Sequence, residues 1–153
     1  MPRQSLDQLD LNILRNLSAN ARKPYLEIAR ECGVSGAAIH QRIQRLTQIG
    51  VIRGSESLID PIAVGYDTCA YVGLYLRDPA QYNSVVAALQ EIPEIVECHY
   101  TTGQYDIFIK LYARNNDHLL HLLQQIQALG MARTETLISF KQVFRRQMHI
   151  NEG

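Results

Sequence analysis

Residues 27–46 read EIARECGVSGAAIHQRIQRL, and this stretch predicts two helices joined by a tight turn. Gly33 suits the left-handed backbone position that such a turn requires, because it has no Cβ. The small side chain of Ala29 lets the two helices approach closely, and Val34 can fill the space between them. Ser35 is a favourable N-cap, since its hydroxyl can accept from the free amides of the first turn. We therefore predict a helix-turn-helix, the minimum unit that can place one helix in the major groove of DNA.

Apolar residues recur at helical spacing on both sides of this turn and indicate which helix faces are buried. The helix-turn-helix spans roughly residues 24–48, and Pro24 suits the first turn of its first helix. A further helix precedes it, with Ser5 or Asp7 as the cap and Asn20 after its end. The candidates for burial in the three helices are Leu6, Leu9, Ile13, Leu14, Leu17, Leu26, Ile28, Ala29, Ile39, Ile43 and Leu46.

The outward face of the helix that follows Ser35 is polar and carries no acidic residue, which suits a polyanionic partner. Glutamine can pair twofold with adenine, and arginine can pair with guanine or a phosphate. The helix N-terminus also favours a phosphate. An ordinary polar helix on a three-helix domain is the alternative interpretation. The candidate DNA-binding residues are Ser35, Gly36, Ala37, His40, Gln41, Arg42, Gln44 and Arg45.

A different pattern begins after Gly50, where residues 51–60 are predicted to form an extended linker or strand. Beyond Tyr66, short β-rich segments alternate with amphipathic helical segments. The order β-α-β-β-α-β predicts a four-stranded ferredoxin-like sheet with both helices on one face, so the whole chain is of the α+β class. The predicted strands are 71–77, 95–102, 105–113 and 134–144, and the predicted helices are 79–92 and 117–129.

The sheet face away from the helices is predicted to be aromatic. Alternation along the first strand places Ala70, Val72, Leu74 and Leu76 on one face and Cys69, Tyr71, Gly73 and Tyr75 on the other. An antiparallel sheet that faces water should be more polar than this second face. We therefore expect two chains to pack sheet against sheet around a two-fold axis. The aromatic candidates are Tyr71, Tyr75, Phe108 and Tyr112.

Composition narrows the class of protein. The chain has 153 residues, of which 46% are hydrophobic and 20% charged, with a net charge of +0, as is typical of a globular protein. Cys32, Cys69 and Cys98 form no CxxC pair, so we expect free thiols in a reducing compartment and no metal site. We see no N-terminal signal segment and no apolar run long enough to span a bilayer. The expectation is a cytoplasmic protein with no membrane partner.

An enzyme is a competing hypothesis. Glu97 and His99 share one strand face, and Asp106 lies across the predicted hairpin, so the three could form an acid/base set. No metal cluster, phosphate loop or nucleophile motif accompanies them. We therefore expect no catalytic residues.

The ordered motifs resemble the Lrp/AsnC family of bacterial and archaeal regulators, also called feast/famine regulators. The resemblance extends from about Leu6 to Phe144 and is greatest to the AsnC branch. Thr47 departs from the family, where many members have an acid, and so does Gly36, where a larger residue is frequent. The matching segments are LDQLDLNIL (6–14), NAR (20–22), EIARECGVS (27–35), IHQRIQRL (39–46), IGVI (49–52), VGYD (64–67), TTGQYDIFIKL (101–111) and TETLISF (134–140).

The resemblance implies a winged-helix-like helix-turn-helix domain over residues 1–52, a linker strand or hinge over 53–65, and an effector-binding and oligomerisation domain over 66–153. It implies a transcriptional regulator without a cofactor, whose binding to double-stranded DNA or whose assembly responds to a small amino acid. For the AsnC branch that amino acid is asparagine. Homodimers that assemble further, often to octamers, are also implied. The alternative is a global, architectural DNA-binding regulator that responds to another amino acid such as leucine.

The effector is expected at the connection between the second and third strands. Gly103-Gln104 is predicted to be a two-residue hairpin turn, which by itself is only a structural feature. The resemblance implies that this turn and the last strand bind the amino acid where dimers meet. Exposed N–H groups could then hold its carboxylate, Asp106 its ammonium group, and threonine hydroxyls a side-chain amide. The candidate effector-binding residues are Thr101, Thr102, Gly103, Gln104, Tyr105, Asp106, Thr134 and Thr136.

Overall fold

The computed structural model describes residues 5–151. The chain divides into two compact units, one formed by Met1–Ser57 with Phe144–Gly153 and the other by Leu58–Val143. The predicted domain ranges 1–52 and 66–153 include residues 1–4 and 152–153, which lie outside the described residues. Residues 144–151 group with the helical unit, although the predicted range of the second domain includes them.

The first unit contains three helices, α1 (Gln8–Ala19), α2 (Tyr25–Cys32) and α3 (Gly36–Gln48). Asp7 rather than Ser5 caps α1, because Asp7 and Asp10 form a reciprocal capping box. Pro24 is the residue before α2 rather than a member of its first turn.

The core of this unit consists of Ile13, Ile28, Ala29, Ile39 and Leu46, all predicted from their spacing. Ile43 is half-buried and packs against this core. The prediction that Leu26 is buried was wrong, since 64% of it is exposed. A two-turn helix such as α2 offers few positions to the core, and Ile28 and Ala29 occupy them.

The sequence left open a linker strand or a hinge over residues 53–65. Residues 53–65 form no β-strand in this chain and contain one 3-10 turn, Ile62–Val64. Among the described residues, no strand precedes Thr68, so the wing implied by a winged helix is also not observed. A strand needs a neighbour that takes up its backbone hydrogen bonds, and no other part of residues 5–151 provides one for this segment.

The second unit is the predicted ferredoxin-like arrangement. Its elements are β1 (Thr68–Leu76), α4 (Tyr82–Gln90), β2 (Ile95–Tyr100), β3 (Ile107–Ala113), α5 (Asn116–Gln127) and β4 (Met131–Ser139). The strands pair antiparallel in the order β2-β3-β1-β4. The predicted alternation is confirmed, because Ala70, Val72, Leu74 and Leu76 are buried together with the inward residues of β3 and both helices.

The connection between β2 and β3 is longer than the predicted two-residue turn. It comprises residues 101–106, and Gly103 within it has a φ of +95°. At the base of this connection the N–H of Thr101 donates to Asp106 O at 3.4 Å, and the N–H of Asp106 donates to Leu74 O on the neighbouring strand β1, at 2.9 Å. We call residues 101–106 the effector loop, after the effector binding that the sequence predicts for them.

Candidate DNA-binding helix and effector loop

The turn before α3 is built as the sequence predicts. Gly33 ends α2 with a φ of +67°, the left-handed conformation that glycine adopts without strain. The Ser35 hydroxyl accepts from the N–H of Ala38 at 3.1 Å and so caps α3. This geometry fixes where α3 begins and which of its faces turns away from the core.

An exposed polar stripe runs along α3, at the positions expected for one face of a helix. It contains no acidic side chain, and His40 is in contact with the ring of Tyr25, at 5.9 Å between ring centres. Gly36 lies partly outside this stripe, since a Cβ there would come within 3.0 Å of Leu26 Cδ2. The stripe consists of Ala37, His40, Gln41, Gln44, Arg45 and Gln48.

Arg42 does not extend freely from α3. Its guanidinium donates to Asp7 Oδ2 at 2.5 Å and to Asp10 Oδ1 at 3.2 Å, and so joins α3 to α1. The hydrogen bond from Arg42 holds the pKa of Asp7 at about 2, below its ordinary value of 3.8. Arg42 Nη1 thus meets two carboxylates while about a third of the side chain remains exposed, and the assignment of Arg42 to the DNA surface stays a prediction.

Arg45 contacts a buried carboxylate of α1 and is also partly exposed to solvent. It approaches Asp10 Oδ2 at 3.4 Å, while about half of its side chain remains exposed. Asp10 itself is buried, and both of its carboxylate oxygens face arginines of α3. The exposed part of Arg45 can therefore meet a phosphate, and the exposed side chains of Gln41 and Gln44 have no hydrogen-bond partner within residues 5–151.

The effector loop is exposed at its tip, where Thr102, Gly103 and Gln104 lie. Within residues 5–151, the backbone N–H groups of these three residues donate to no atom of the chain. At the base of the loop, the Thr101 hydroxyl donates to the carbonyl of Tyr105 at 3.2 Å. The tip therefore offers several adjacent backbone donors, which are groups that can bind an anion.

Asp106 has a structural role that the sequence did not reveal. Its Oδ2 accepts from the N–H of Leu76 at 2.8 Å. This hydrogen bond satisfies the backbone N–H of the last residue of β1. Asp106 Oδ1 accepts from no group among the described residues. One oxygen thus anchors the loop to the sheet and the other stays available.

Thr134 and Thr136 lie on the other face of the sheet from Tyr105. They pair in register with Leu74 and Val72, so their side chains lie on the helix-covered side of the sheet. Tyr105 lies over Gly73, on the opposite side. The structure therefore separates the two threonines of β4 from this part of the predicted site.

Sequence reasoning missed the residues of β4 that do face Tyr105. The Tyr105 hydroxyl donates to Glu135 Oε2 at 2.8 Å, and Arg133 donates to Glu135 Oε1 and to the Tyr75 hydroxyl, both at 2.9 Å. The alternation of β4 indicates that Arg133 and Glu135 share one face of the strand and that Thr134 lies on the other. Choosing between the two faces required the register with β1.

The outer sheet face, away from the helices, is aromatic as predicted. Tyr71 stacks on Phe108 at 5.8 Å, and Tyr105 extends the row by stacking on Phe108 at 5.7 Å. Lys110 lies 5.8 Å from the Tyr71 ring and 5.4 Å from the Tyr112 ring, and its ammonium is 3.8 Å from Glu97. This surface combines large rings with charges that are paired at its edge.

Two family models match the two parts of the chain. The AsnC-type helix-turn-helix domain matches residues 6–47, and the Lrp/AsnC ligand binding domain matches residues 69–148. The chain belongs to the Lrp/AsnC family. It is therefore a transcriptional regulator with a ligand-binding domain, which confirms the family and the fold class predicted from the motifs.

Individual Lrp/AsnC proteins match over almost their whole length. The regulatory protein AsnC of Haemophilus influenzae is 37% identical over 151 residues, which cover 94% of this chain and 97% of that protein. The structure of Escherichia coli AsnC is 38% identical, has a TM-score of 0.89, and is matched over 95% of this chain and 99% of its own. A feast or famine regulatory protein from M. tuberculosis, complexed with L-methionine, is 30% identical with a TM-score of 0.91, covering 96% and 100%.

The acid/base set considered for an enzyme does not form a site in this Lrp/AsnC protein. Glu97 Oε1 lies 3.1 Å from His99 Nε2 on the exposed edge strand, whereas Asp106 bonds to the backbone of Leu76. The relatives are named as regulators. Among residues 5–151, no three His, Cys, Asp or Glu side chains gather as metal ligands, and no helix is long and apolar enough to cross a membrane.

Proposed function

We propose that this chain binds specific DNA through α3 and that a small amino acid, asparagine as the first candidate, modulates this binding or the assembly of the protein. The observation that carries the proposal is the exposed, acid-free stripe on α3, which follows a well-capped turn. Gln41 and Gln44 have amides free to pair with base edges in the major groove. The free amides of the first turn, next to Ser35, suit a backbone phosphate.

The distribution of charge supports this division of roles. The unit that contains α3 holds ten Lys and Arg against six Asp and Glu, a net charge of +4. The unit that contains the sheet holds five against nine, a net charge of −4. A neutral chain thus presents its positive charge where the polyanion is proposed to bind, which favours association and makes it salt-dependent.

The effector loop has the chemistry for a free amino acid. Its open N–H groups at Thr102, Gly103 and Gln104 can bind the carboxylate, and Oδ1 of Asp106 can accept from the ammonium group. The related protein from M. tuberculosis is described in complex with L-methionine, which supports an amino acid as the ligand class. Asparagine is proposed because the motifs and the relatives are those of AsnC.

We further propose a homodimer that packs through the outer sheet face, with assembly to higher oligomers. Tyr71 and Phe108 form the centre of this face, and large rings contribute much of the free energy of protein interfaces. A two-fold axis would present two copies of α3 to half-sites about one helical turn apart, or a multiple of it.

A DNA titration tests the proposal. Binding of the full chain to the promoter region of its own gene is measured at fixed salt, without amino acid and with L-asparagine, L-leucine or L-methionine. We expect sequence-specific binding and a shift of about 5- to 150-fold in affinity, or a change in stoichiometry, with one amino acid. A response to leucine alone would favour the global regulator, and no specific binding at moderate salt would refute the proposal.

A further inference from the structure

Tyr105 is held by its surroundings more closely than an exposed loop residue requires. Its ring lies directly on Gly73 of β1, where an ideal Cβ would stand 2.3 Å from the ring atoms Cδ1 and Cε1. Real side chains do not approach so closely, so any residue larger than glycine at position 73 must displace the ring. Gly73 is buried although it faces outward, because Tyr105 covers it.

The phenol end of Tyr105 is held by a second strand. Glu135, which pairs with Gly73 in register, accepts from the Tyr105 hydroxyl at 2.8 Å. Arg133 fixes Glu135 in turn through a 2.9 Å contact and lies 4.2 Å above the Tyr75 ring. The hydrogen bond to Glu135 also raises the pKa of Tyr105 above its ordinary value of 10.0.

The packing of the Tyr105 ring on Gly73 and its hydrogen bond to Glu135 hold the effector loop in position. Tyr105 follows the exposed tip directly, and its carbonyl receives the Thr101 hydroxyl from the other side of the loop. A displaced ring would therefore move the free N–H groups at the tip relative to Asp106, whose position is tied to Leu76.

We propose that Gly73 and Glu135 are positioning residues for amino-acid binding, acting through Tyr105, although neither belongs to the effector loop. This inference rests on the proposed function, because it assumes that the loop binds the effector. Gly73 provides the space for the ring and Glu135 fixes its hydroxyl, so the two residues set the geometry in which the loop meets its ligand.

Amino-acid binding to the full chain is measured by calorimetry with each of the twenty amino acids. For Gly73→Ala and Glu135→Gln we expect an affinity loss of about tenfold, comparable to losing one hydrogen bond to a charged group. The matched control is Glu91→Gln, an exposed carboxylate at the end of α4, which should bind as the wild type does. In a Tyr105→Ala background, Gly73→Ala should add nothing, because the ring that it displaces is gone.

The absorbance of the Tyr105 phenol measures the effect of its hydrogen bond to Glu135 without any effector present. The difference between the alkaline titrations of wild type and Tyr105→Phe isolates Tyr105, and its midpoint should fall in Glu135→Gln. Circular dichroism identifies a Gly73→Ala variant that fails to fold. In that case the affinity of Glu135→Gln tests the inference, because glutamine and glutamate are nearly identical in size. If the wild type binds none of the twenty amino acids, the proposed function fails and the inference fails with it. A wild type that binds while both variants match its affinity overturns the inference alone.

Discussion

At the scale of single residues, the partner of each side chain decides what α3 can contact. Gln41 and Arg42 are neighbours in the chain, yet Gln41 is exposed and Arg42 faces Asp7 and Asp10. Base reading is therefore expected from the glutamines, whose amides offer a donor and an acceptor together. Arg42 also contributes to the position of the helix, through its contacts with Asp7 and Asp10.

Gln41→Ala should relax base preference at one position of the binding site. Loss of a twofold contact to adenine costs about 1–3 kcal/mol of discrimination, and affinity for unrelated DNA should stay the same because no charge is removed. The measurement compares the operator with its single-base variants at one salt concentration. Gln125→Ala, an exposed glutamine of α5, is the control, and an unchanged preference in Gln41→Ala would remove Gln41 from the interface.

At the scale of elements, an ion-pair cluster joins α1 to α3. Asp7 and Asp10 at the start of α1 cap that helix and also receive Arg42 and Arg45 from α3. Asp10 is only 2% exposed, and a buried carboxylate without partners would be costly. The cluster thus ties the orientation of the candidate recognition helix to the N-terminus of α1.

This cluster makes the helical unit sensitive to acid. Asp7 has a pKa of about 2 in the folded chain against 3.8 ordinarily, so its ionised form stabilises the fold at pH values above about 4. That contribution is lost as the pH falls from about 4 to 2. Because Asp7 is half exposed, we expect about 1 kcal/mol or less.

Asp7→Asn measures this contribution, since asparagine also caps helices well but carries no charge. Thermal unfolding should show a less stable variant at pH 6, with the difference vanishing near pH 2. Glu56→Gln, an exposed acid that forms no ion pair within residues 5–151, is the control. A difference between Asp7→Asn and wild type that does not depend on pH would contradict the electrostatic explanation.

At the scale of the whole molecule, the outer sheet face is where a second copy is expected. Its rings remain partly accessible in the single chain, and only the opposite face is covered by α4 and α5. An aromatic surface of this kind is more often an interface than a surface in contact with water.

Tyr71→Glu should shift the protein towards the monomer, because it brings two like charges close to the proposed two-fold axis and removes ring contacts. Sedimentation velocity over a range of concentrations measures the change. Leu120→Glu, which replaces an exposed apolar residue of α5 on the other side of the sheet, is the control. Dissociation by the control but not by Tyr71→Glu would place the interface on the helices.

Much of the fold could be predicted because its signals are local. The caps at Asp7 and Ser35, the left-handed Gly33 and the alternation through Ala70–Leu76 each follow from residues within one or two turns, or from one strand. The linker strand at 53–65 could not be judged in this way, since extended sequence forms a strand only when another chain segment pairs with it. The six-residue effector loop was missed for a related reason, because Asp106 bonds to β1.

The sequence by itself determined the three helices, the order of strands and helices, the two chemically different sheet faces and the family, since periodicity and capping act between near neighbours. Only the tertiary structure decided that Arg42 contacts Asp7 and Asp10. It also decided that the Tyr105 ring packs on Gly73 and that Thr134 lies on the other face of the sheet. These contacts join residues about 30 positions apart. They depend on strand register and helix packing, which no local pattern specifies.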